Sequence, residues 1–115
     1  MASSASMPLL SLDRVAIIVA RSRTGPVLCP FFGKCDGVWI IETRTAVGEF
    51  HGNPERTAQA LCDLLLALRP TRLICSFIGK KEKQRLSEAG IDIRLGSCAC
   101  PIDELVADFE RLIGA

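Results

Sequence analysis

The chain has 115 residues, of which 49% are hydrophobic, and a formal net charge of +1. This length suits one domain with one core, and the small net charge provides no field that would attract nucleic acid or a membrane surface. One Trp and no Tyr leave few aromatic side chains on which single-stranded nucleic acid could stack. We therefore expect a protein that binds neither nucleic acid nor a membrane.

Residues 1–12 are predicted to be a disordered or loosely attached tail, and residues 13–115 a single α/β domain. The tail lacks the basic segment that opens a secretory signal, and no apolar run approaches the ~20 residues of a membrane-spanning helix. We expect a cytoplasmic protein whose thiols stay reduced, present as a monomer or a weak homodimer.

The pattern of apolar and turn residues predicts the order β-β-β-α-β-α-β-α. Strands are predicted at residues 14–20, 37–42, 46–51, 72–77 and 91–95, and helices at residues 53–68, 80–89 and 101–113. The first three strands are expected to form an antiparallel meander, and the later strands to add in parallel through right-handed crossovers. The sequence thus predicts a five-stranded mixed sheet, with a long loop without a strand at residues 21–36.

Two predicted helices begin with recognisable start signals. Asn53 is expected to be an N-cap with Pro54 in the first helical position, and Cys100 an N-cap followed by Pro101. An N-terminal thiol on a helix is favoured as thiolate by the helix dipole.

Six cysteines are many for a reduced chain of this size. Cys29 and Cys35 bound the stretch C-P-F-F-G-K-C, and Cys98 and Cys100 lie in G-S-C-A-C-P. Ligands of parallel sheets bind beyond the carboxyl ends of the strands, so we expect these four and Cys75 to gather at one edge.

The expected surroundings of these thiols are basic. The candidate ligands for a metal–sulfur cluster are Cys29, Cys35, Cys98 and Cys100, and Lys34 and Arg21 are candidate contacts to it. Thiolates among cations suit an anionic cluster better than a bare cation. Three alternatives remain for the same cysteines: a closed zinc site, a reversible disulfide, or small buried hydrophobic side chains.

The stretch C-P-F-F-G-K-C resembles the loop S/D-P-H/R-F-G-R-A of the nitrogenase iron–molybdenum cofactor biosynthesis family, the domain shared by NifX, NifY and the tail of NifB. The similarity continues through Asn53-Pro54, Phe77-Ile78-Gly79 and E-A-G-I-D-I-R at residues 88–94. The resemblance implies a ribonuclease-H-like fold and a non-catalytic carrier of iron–sulfur or iron–molybdenum cofactor precursors in nitrogen fixation. It also implies a cluster donor or acceptor protein as partner.

This chain departs from the family pattern in that loop, most notably at Phe31, Cys29 and Cys35. Phe31 stands where the family has His or Arg, so a contact from that residue to the cluster is lost. Cys29 and Cys35 replace typical Ser and Ala, which is consistent with a binding mode rebuilt around thiolates. A nuclease is disfavoured because the first strand contains no carboxylate to hold a catalytic metal.

Overall fold

The computed structural model describes residues 13–115, so the predicted tail at residues 1–12 lies outside it. This part of the chain forms one mixed sheet with helices on both faces. The strands are β1 (Arg14–Ser22), β2 (Gly25–Leu28), β3 (Gly37–Glu42), β4 (Val47–Gly52), β5 (Arg72–Cys75), β6 (Asp92–Leu95) and β7 (Ile113–Gly114). The helices are α1 (Ala58–Leu68), α2 (Lys80–Glu88) and α3 (Ile102–Ala107), the last followed by a 3₁₀ turn, Phe109–Arg111. No helix in residues 13–115 is long and apolar enough to cross a membrane.

The main strand order is β4-β3-β1-β5-β6-β7, with β2 also paired to β1. β1 is antiparallel to β3, β3 is antiparallel to β4, and β5 and β6 run parallel to β1. The predicted meander and the predicted parallel additions are therefore both confirmed. The β-branched and alanine run Val15–Val19 is fully buried at the centre, as expected for a strand that is covered on both faces.

The predicted count of five strands is wrong, because the sheet also contains β2 and β7. The region predicted as a loop turns back at Arg23 and Thr24, and β2 pairs with the end of β1 from Val19↔Leu28 to Ser22↔Gly25. The strand was not predicted because it contains Pro26, and proline is found in strands mainly at sheet edges. β2 lies beyond the end of β5 on the same side of β1, because Val19 already pairs with β3 on its other side.

Both predicted helix starts are wrong in detail. α1 begins at Ala58, and the Thr57 hydroxyl caps it by accepting a hydrogen bond from the Ala60 amide at 3.1 Å. Asn53 is instead a buried loop residue. The N-cap of α3 is Pro101 rather than Cys100.

The last helix is also shorter than predicted, ending at Ala107. The carbonyls of Phe109, Glu110 and Leu112 each accept a hydrogen bond from the Arg94 guanidinium, at 3.0 to 3.3 Å. These carbonyls are thus held by a side chain, and the chain continues into the 3₁₀ turn and β7.

The core consists of two clusters on opposite faces of the sheet. The first cluster packs Ala16 and Ile18 of β1 under α1 and α2, through Leu61, Leu65 and Leu86. The second cluster packs Val15, Ile17 and Val19 under α3 and the 3₁₀ turn, through Ile102, Leu105 and Phe109. This division decides which cysteines can meet, because the sheet separates the clusters.

Candidate functional site

The carboxyl ends of β1, β5 and β6 share one edge of the sheet, as their parallel pairing requires. The Gly96 amide after β6 donates a hydrogen bond to the Cys75 carbonyl at the end of β5, at 2.9 Å. A Cβ on Gly96 would lie 2.9 Å from a Leu105 methyl and 3.3 Å from a Leu28 methyl. The loop after β6 therefore packs closely against β2 and α3, and a larger residue than glycine would require these leucine side chains to shift.

Cys29 and Cys35 lie on this edge but point inward. Both are buried in the first cluster, with exposed fractions of 6% and 0%. Burial raises the pKa of Cys35 to about 11, so this residue is a neutral thiol at neutral pH. The Cys29 thiol contacts the Phe31 carbonyl at 3.6 Å. Both sulfurs are therefore shielded from solvent in this structure.

Asn53 fixes the loop that holds these cysteines, a role that sequence reasoning missed. Its side-chain amide donates to the Gly33 carbonyl at 3.1 Å and to the Cys35 carbonyl at 3.3 Å. Its own backbone amide donates to the Asp36 carbonyl at 2.9 Å. The sequence predicted that Asn53 would cap the helix. Its side chain instead bonds the carbonyls of the loop before β3.

Asp36 ties the same loop to the basic residues around it. Its carboxylate accepts from the Arg21 backbone amide at 2.7 Å and from the Arg56 guanidinium. These two contacts hold the pKa of Asp36 below its ordinary value. The Arg21 guanidinium itself lies over the Phe50 ring, 4.5 Å from its centroid. Arg21 is thus directed to the face of the sheet that carries the second cluster.

Cys98 and Cys100 are the more accessible thiols of this edge. Cys98 is exposed, and Cys100 is half-buried against the second cluster. Cys100 lines a depression of about 540 Å³, here called the hairpin pocket. Its walls include Thr24, Pro26 and Val27 of the β1–β2 hairpin, together with Trp39, Cys100 and Pro101.

Lys34 is exposed in the loop of Cys29 and Cys35. Its carbonyl accepts a hydrogen bond from the Arg56 guanidinium at 3.2 Å, which fixes the backbone while leaving the side chain outside. Lys34 and Arg21 therefore lie at the same edge as the cysteines, as expected from the sequence, but Arg21 is engaged with Phe50.

The edge brings the predicted segments together without joining their four thiols into one site. Cys29 and Cys35 lie in the first cluster, whereas Cys100 packs against the second, across the sheet. Within residues 13–115 no group of three or more His, Cys, Asp or Glu side chains is arranged to hold a metal ion. Cys62 and Cys75 are core residues, and burial raises the pKa of Cys75 to about 12.

Solved structures of known proteins show the same fold at low identity. The apo form of the orange protein from Desulfovibrio gigas superposes with a TM-score of 0.79 and 20% identity, covering 90% of this chain and 92% of that one. A putative NifB protein from Thermotoga superposes with a TM-score of 0.67 and 18% identity, covering 86% of this chain and 88% of that one. No curated protein sequence matches the chain.

The sequence itself carries a more specific relationship. Residues 13–112 match the family described as "Dinitrogenase iron-molybdenum cofactor", which spans nearly all of the part that the structure describes. The resemblance read from C-P-F-F-G-K-C and the downstream motifs is thereby confirmed. The chain belongs to the dinitrogenase iron–molybdenum cofactor family.

Proposed function

We propose that this protein binds a metal–sulfur cluster as cargo, at the carboxyl edge of β1, β5 and β6, and carries it without catalysing a reaction. The family match supports the cargo class. The observation that carries the proposed location is the half-buried Cys100 thiol in the wall of the hairpin pocket, two residues from the exposed Cys98. The central strand order, β4-β3-β1-β5-β6, is compatible with the ribonuclease-H-like fold that the family implies.

The chemistry of the hairpin pocket suits an anionic cluster with exchangeable thiolate ligands. A Cys-x-Cys pair can supply two thiolates to one metal centre from a single turn. Arg23 in the hairpin turn adds positive charge next to Thr24 of the pocket wall, which also contains the Asp103 carboxylate. Iron–sulfur clusters are held by thiolates, and nearby charge tunes them, so Cys98 and Cys100 are the ligands we place first.

Cys29 and Cys35 are ligands of second rank in this proposal. To bind a metal–sulfur cluster, both side chains would have to leave the hydrophobic core under α1 and α2. The hydrogen bonds that Asn53 makes to their loop would also have to break. Lys34, exposed in the same loop, would contact an anionic cargo only if that loop took part. A closed zinc site of four thiolates would need the same opening, and so this arrangement gives it no support.

The test is anaerobic reconstitution of the full chain with ferrous iron and sulfide. We expect a coloured protein with thiolate-to-iron absorption, strongly reduced in the double variant Cys98→Ser/Cys100→Ser. The matched control is Cys29→Ser/Cys35→Ser, with its folding checked by circular dichroism, which should still load the cluster. A wild-type protein that stays colourless and free of iron would overturn the function. Loss of colour only in the control pair would move the site to the other loop.

A further inference from the structure

A second depression lies at the same edge of the sheet, on the face of the first cluster. It runs between residues 30–34 and residues 77–79, has a volume of about 520 Å³, and is called here the phenylalanine groove. Phe31 and Phe77 line it with exposed fractions of 65% and 69%, and Phe32 and Ile78 also line it. No thiol lines this groove, so it is chemically distinct from the hairpin pocket.

The two exposed rings are an unusual feature of the surface. Five large hydrophobic residues are exposed in residues 13–115, and both exposed phenylalanines are in this one groove. An aromatic side chain carries roughly 150–250 Å² that can be buried, so leaving two in water forgoes much stabilisation. Neighbouring exposed apolar side chains are typical of surfaces that bind another molecule.

The backbone that presents Phe31 is held in place. Phe32 is buried beside it, and a Cβ on Gly33 would lie 2.6 Å from the Ala58 amide nitrogen at the start of α1. Asn53 bonds the Gly33 carbonyl from below. Phe31 therefore projects from a loop that is fixed against the core. Binding a partner at Phe31 would thus cost little conformational entropy in this loop.

Lysines lie in the groove and at the helix start that follows it. Lys34 lines the groove, and Lys80 and Lys81 follow directly after Gly79, which also lines it, in the first turn of α2. No lysine takes part in an ion pair with any residue of the described range. The one carboxylate that lines the groove, Glu82, folds back over Gly79 at the start of α2. An occupant would thus meet an apolar floor and unpaired ammonium groups.

We propose that the phenylalanine groove docks an acidic segment of a partner protein, whose apolar side chains insert between Phe31 and Phe77. Charge complementarity argues for this occupant, because carboxylates beside the inserted side chains would pair with Lys34, Lys80 and Lys81. A second copy of this chain fits less well, since a two-fold contact through the groove would bring the same lysines together. That the partner donates or accepts the cluster rests on the proposed function, whereas the docking does not.

The test uses the ¹⁵N-labelled full chain without cargo and two synthetic peptides as probes. Both peptides carry the same two leucines, flanked by Asp and Glu in one and by Lys in the other. We expect the acidic peptide to shift the amide signals of residues 31–34 and 77–80, and its binding to weaken steeply with salt. The basic peptide should leave these signals unchanged.

Two variants and one control locate the binding. Phe31→Ala/Phe77→Ala should weaken the acidic peptide roughly tenfold or more, and Lys34→Glu/Lys81→Glu should do the same while reducing the salt dependence. Val47→Ala removes another exposed apolar side chain, 65% exposed on β4, and should leave affinity unchanged. Equal binding of both peptides, no binding of either, or self-association of the chain through these residues would each overturn the proposal. Because no cluster is present, failure here leaves the reconstitution result unaffected.

Discussion

The side-chain amide of Asn53 lies 3.8 Å from the Cys35 sulfur and donates a hydrogen bond to the Cys35 carbonyl at 3.3 Å. This one buried side chain therefore fixes both the backbone and the thiol of the loop that follows β2. The same amide bonds the Gly33 carbonyl, so the loop's shape depends on an interaction 20 residues away in sequence.

Replacing Asn53 with Ala should destabilise the fold and loosen this loop. Two carbonyls would lose their donor in a buried site, which typically costs about 1–3 kcal/mol in the free energy of unfolding. Urea unfolding measures this loss, and reaction of Cys35 with a thiol reagent, followed by mass spectrometry, should become faster. Gln59→Ala, at an exposed amide on α1, is the control and should change neither quantity. A variant as stable as wild type, with Cys35 still protected, would show that the loop is held by other contacts.

The buried thiols predict a loss of stability at high pH. Burial raises the pKa of Cys35 to about 11 and that of Cys75 to about 12, whereas both ionise near 9 in the unfolded chain. Because the unfolded state releases these protons first, their stabilising effect is complete below pH 9 and is lost as pH rises through the folded values. Each thiol should lower the free energy of unfolding by up to about 1.4 kcal/mol per pH unit in that window.

The measurement is urea unfolding at pH 7.5, 9 and 10.5, for wild type and for Cys75→Ala. The variant should be less stable at pH 7.5, because it lacks a packed side chain, yet it should lose less stability between pH 9 and pH 10.5. Parallel losses in both proteins would show that Cys75 does not titrate in this way. At pH 7.5 a thiol reagent should modify exposed Cys98 well before buried Cys29, Cys35, Cys62 and Cys75.

Most of the fold could be predicted from the sequence because its strongest patterns are local. The β-branched run of β1, the strand β3 and the basic helix α2 follow from composition and turn residues over short stretches. β2 was not predicted because it has four residues and contains Pro26, and β7 because it has two residues and pairs with β6 across the whole of α3. The early end of α3 likewise depends on Arg94, which is remote in sequence from the carbonyls that it binds.

The candidate site could be predicted only to the level of the sheet edge. Parallel strands must place their carboxyl ends together, and this topological argument brought the cysteine segments to one side of the molecule. The β1–β2 hairpin decides on which face of the sheet each thiol lies. It reverses the chain before Cys29, so that the Cys29 amide bonds the Ile18 carbonyl. Without β2, the division of the cysteines between two faces could not be seen.

Arg94 should be the main attachment of the C-terminal segment to the sheet. Its guanidinium binds three carbonyls of that segment and the Asp92 carboxylate, and it lies over the Phe109 ring at 4.7 Å. Arg94→Ala should lower the free energy of unfolding by about 2 kcal/mol or more, since several charge-assisted hydrogen bonds are lost. Arg94→Lys should recover part of this, because an ammonium cannot reproduce the planar fork.

Hydrogen exchange gives the local readout for this attachment. In Arg94→Ala the Ala115 amide, which donates to the Ile93 carbonyl at 3.0 Å, should exchange faster than it does in wild type. Arg111→Ala removes an exposed arginine of the same segment that makes no ion pair within residues 13–115, and it should have little effect. Equal effects of the two alanine variants would mean that the segment is held by packing of Phe109 alone.

Asp103 should weaken the retention of an anionic cargo in the hairpin pocket. Its carboxylate is exposed and lines the same depression as Cys100, so it places a negative charge beside the proposed cluster. Asp103→Asn removes that charge while keeping the size of the side chain, and we expect it to slow the loss of reconstituted cluster to an iron chelator several-fold. The difference should shrink in high salt, which screens exposed charges.

Asp108→Asn, at an exposed carboxylate just beyond α3, is the control and should release the cluster at the wild-type rate. Faster release from Asp103→Asn would place the cluster elsewhere on the edge, or make this carboxylate one of its contacts.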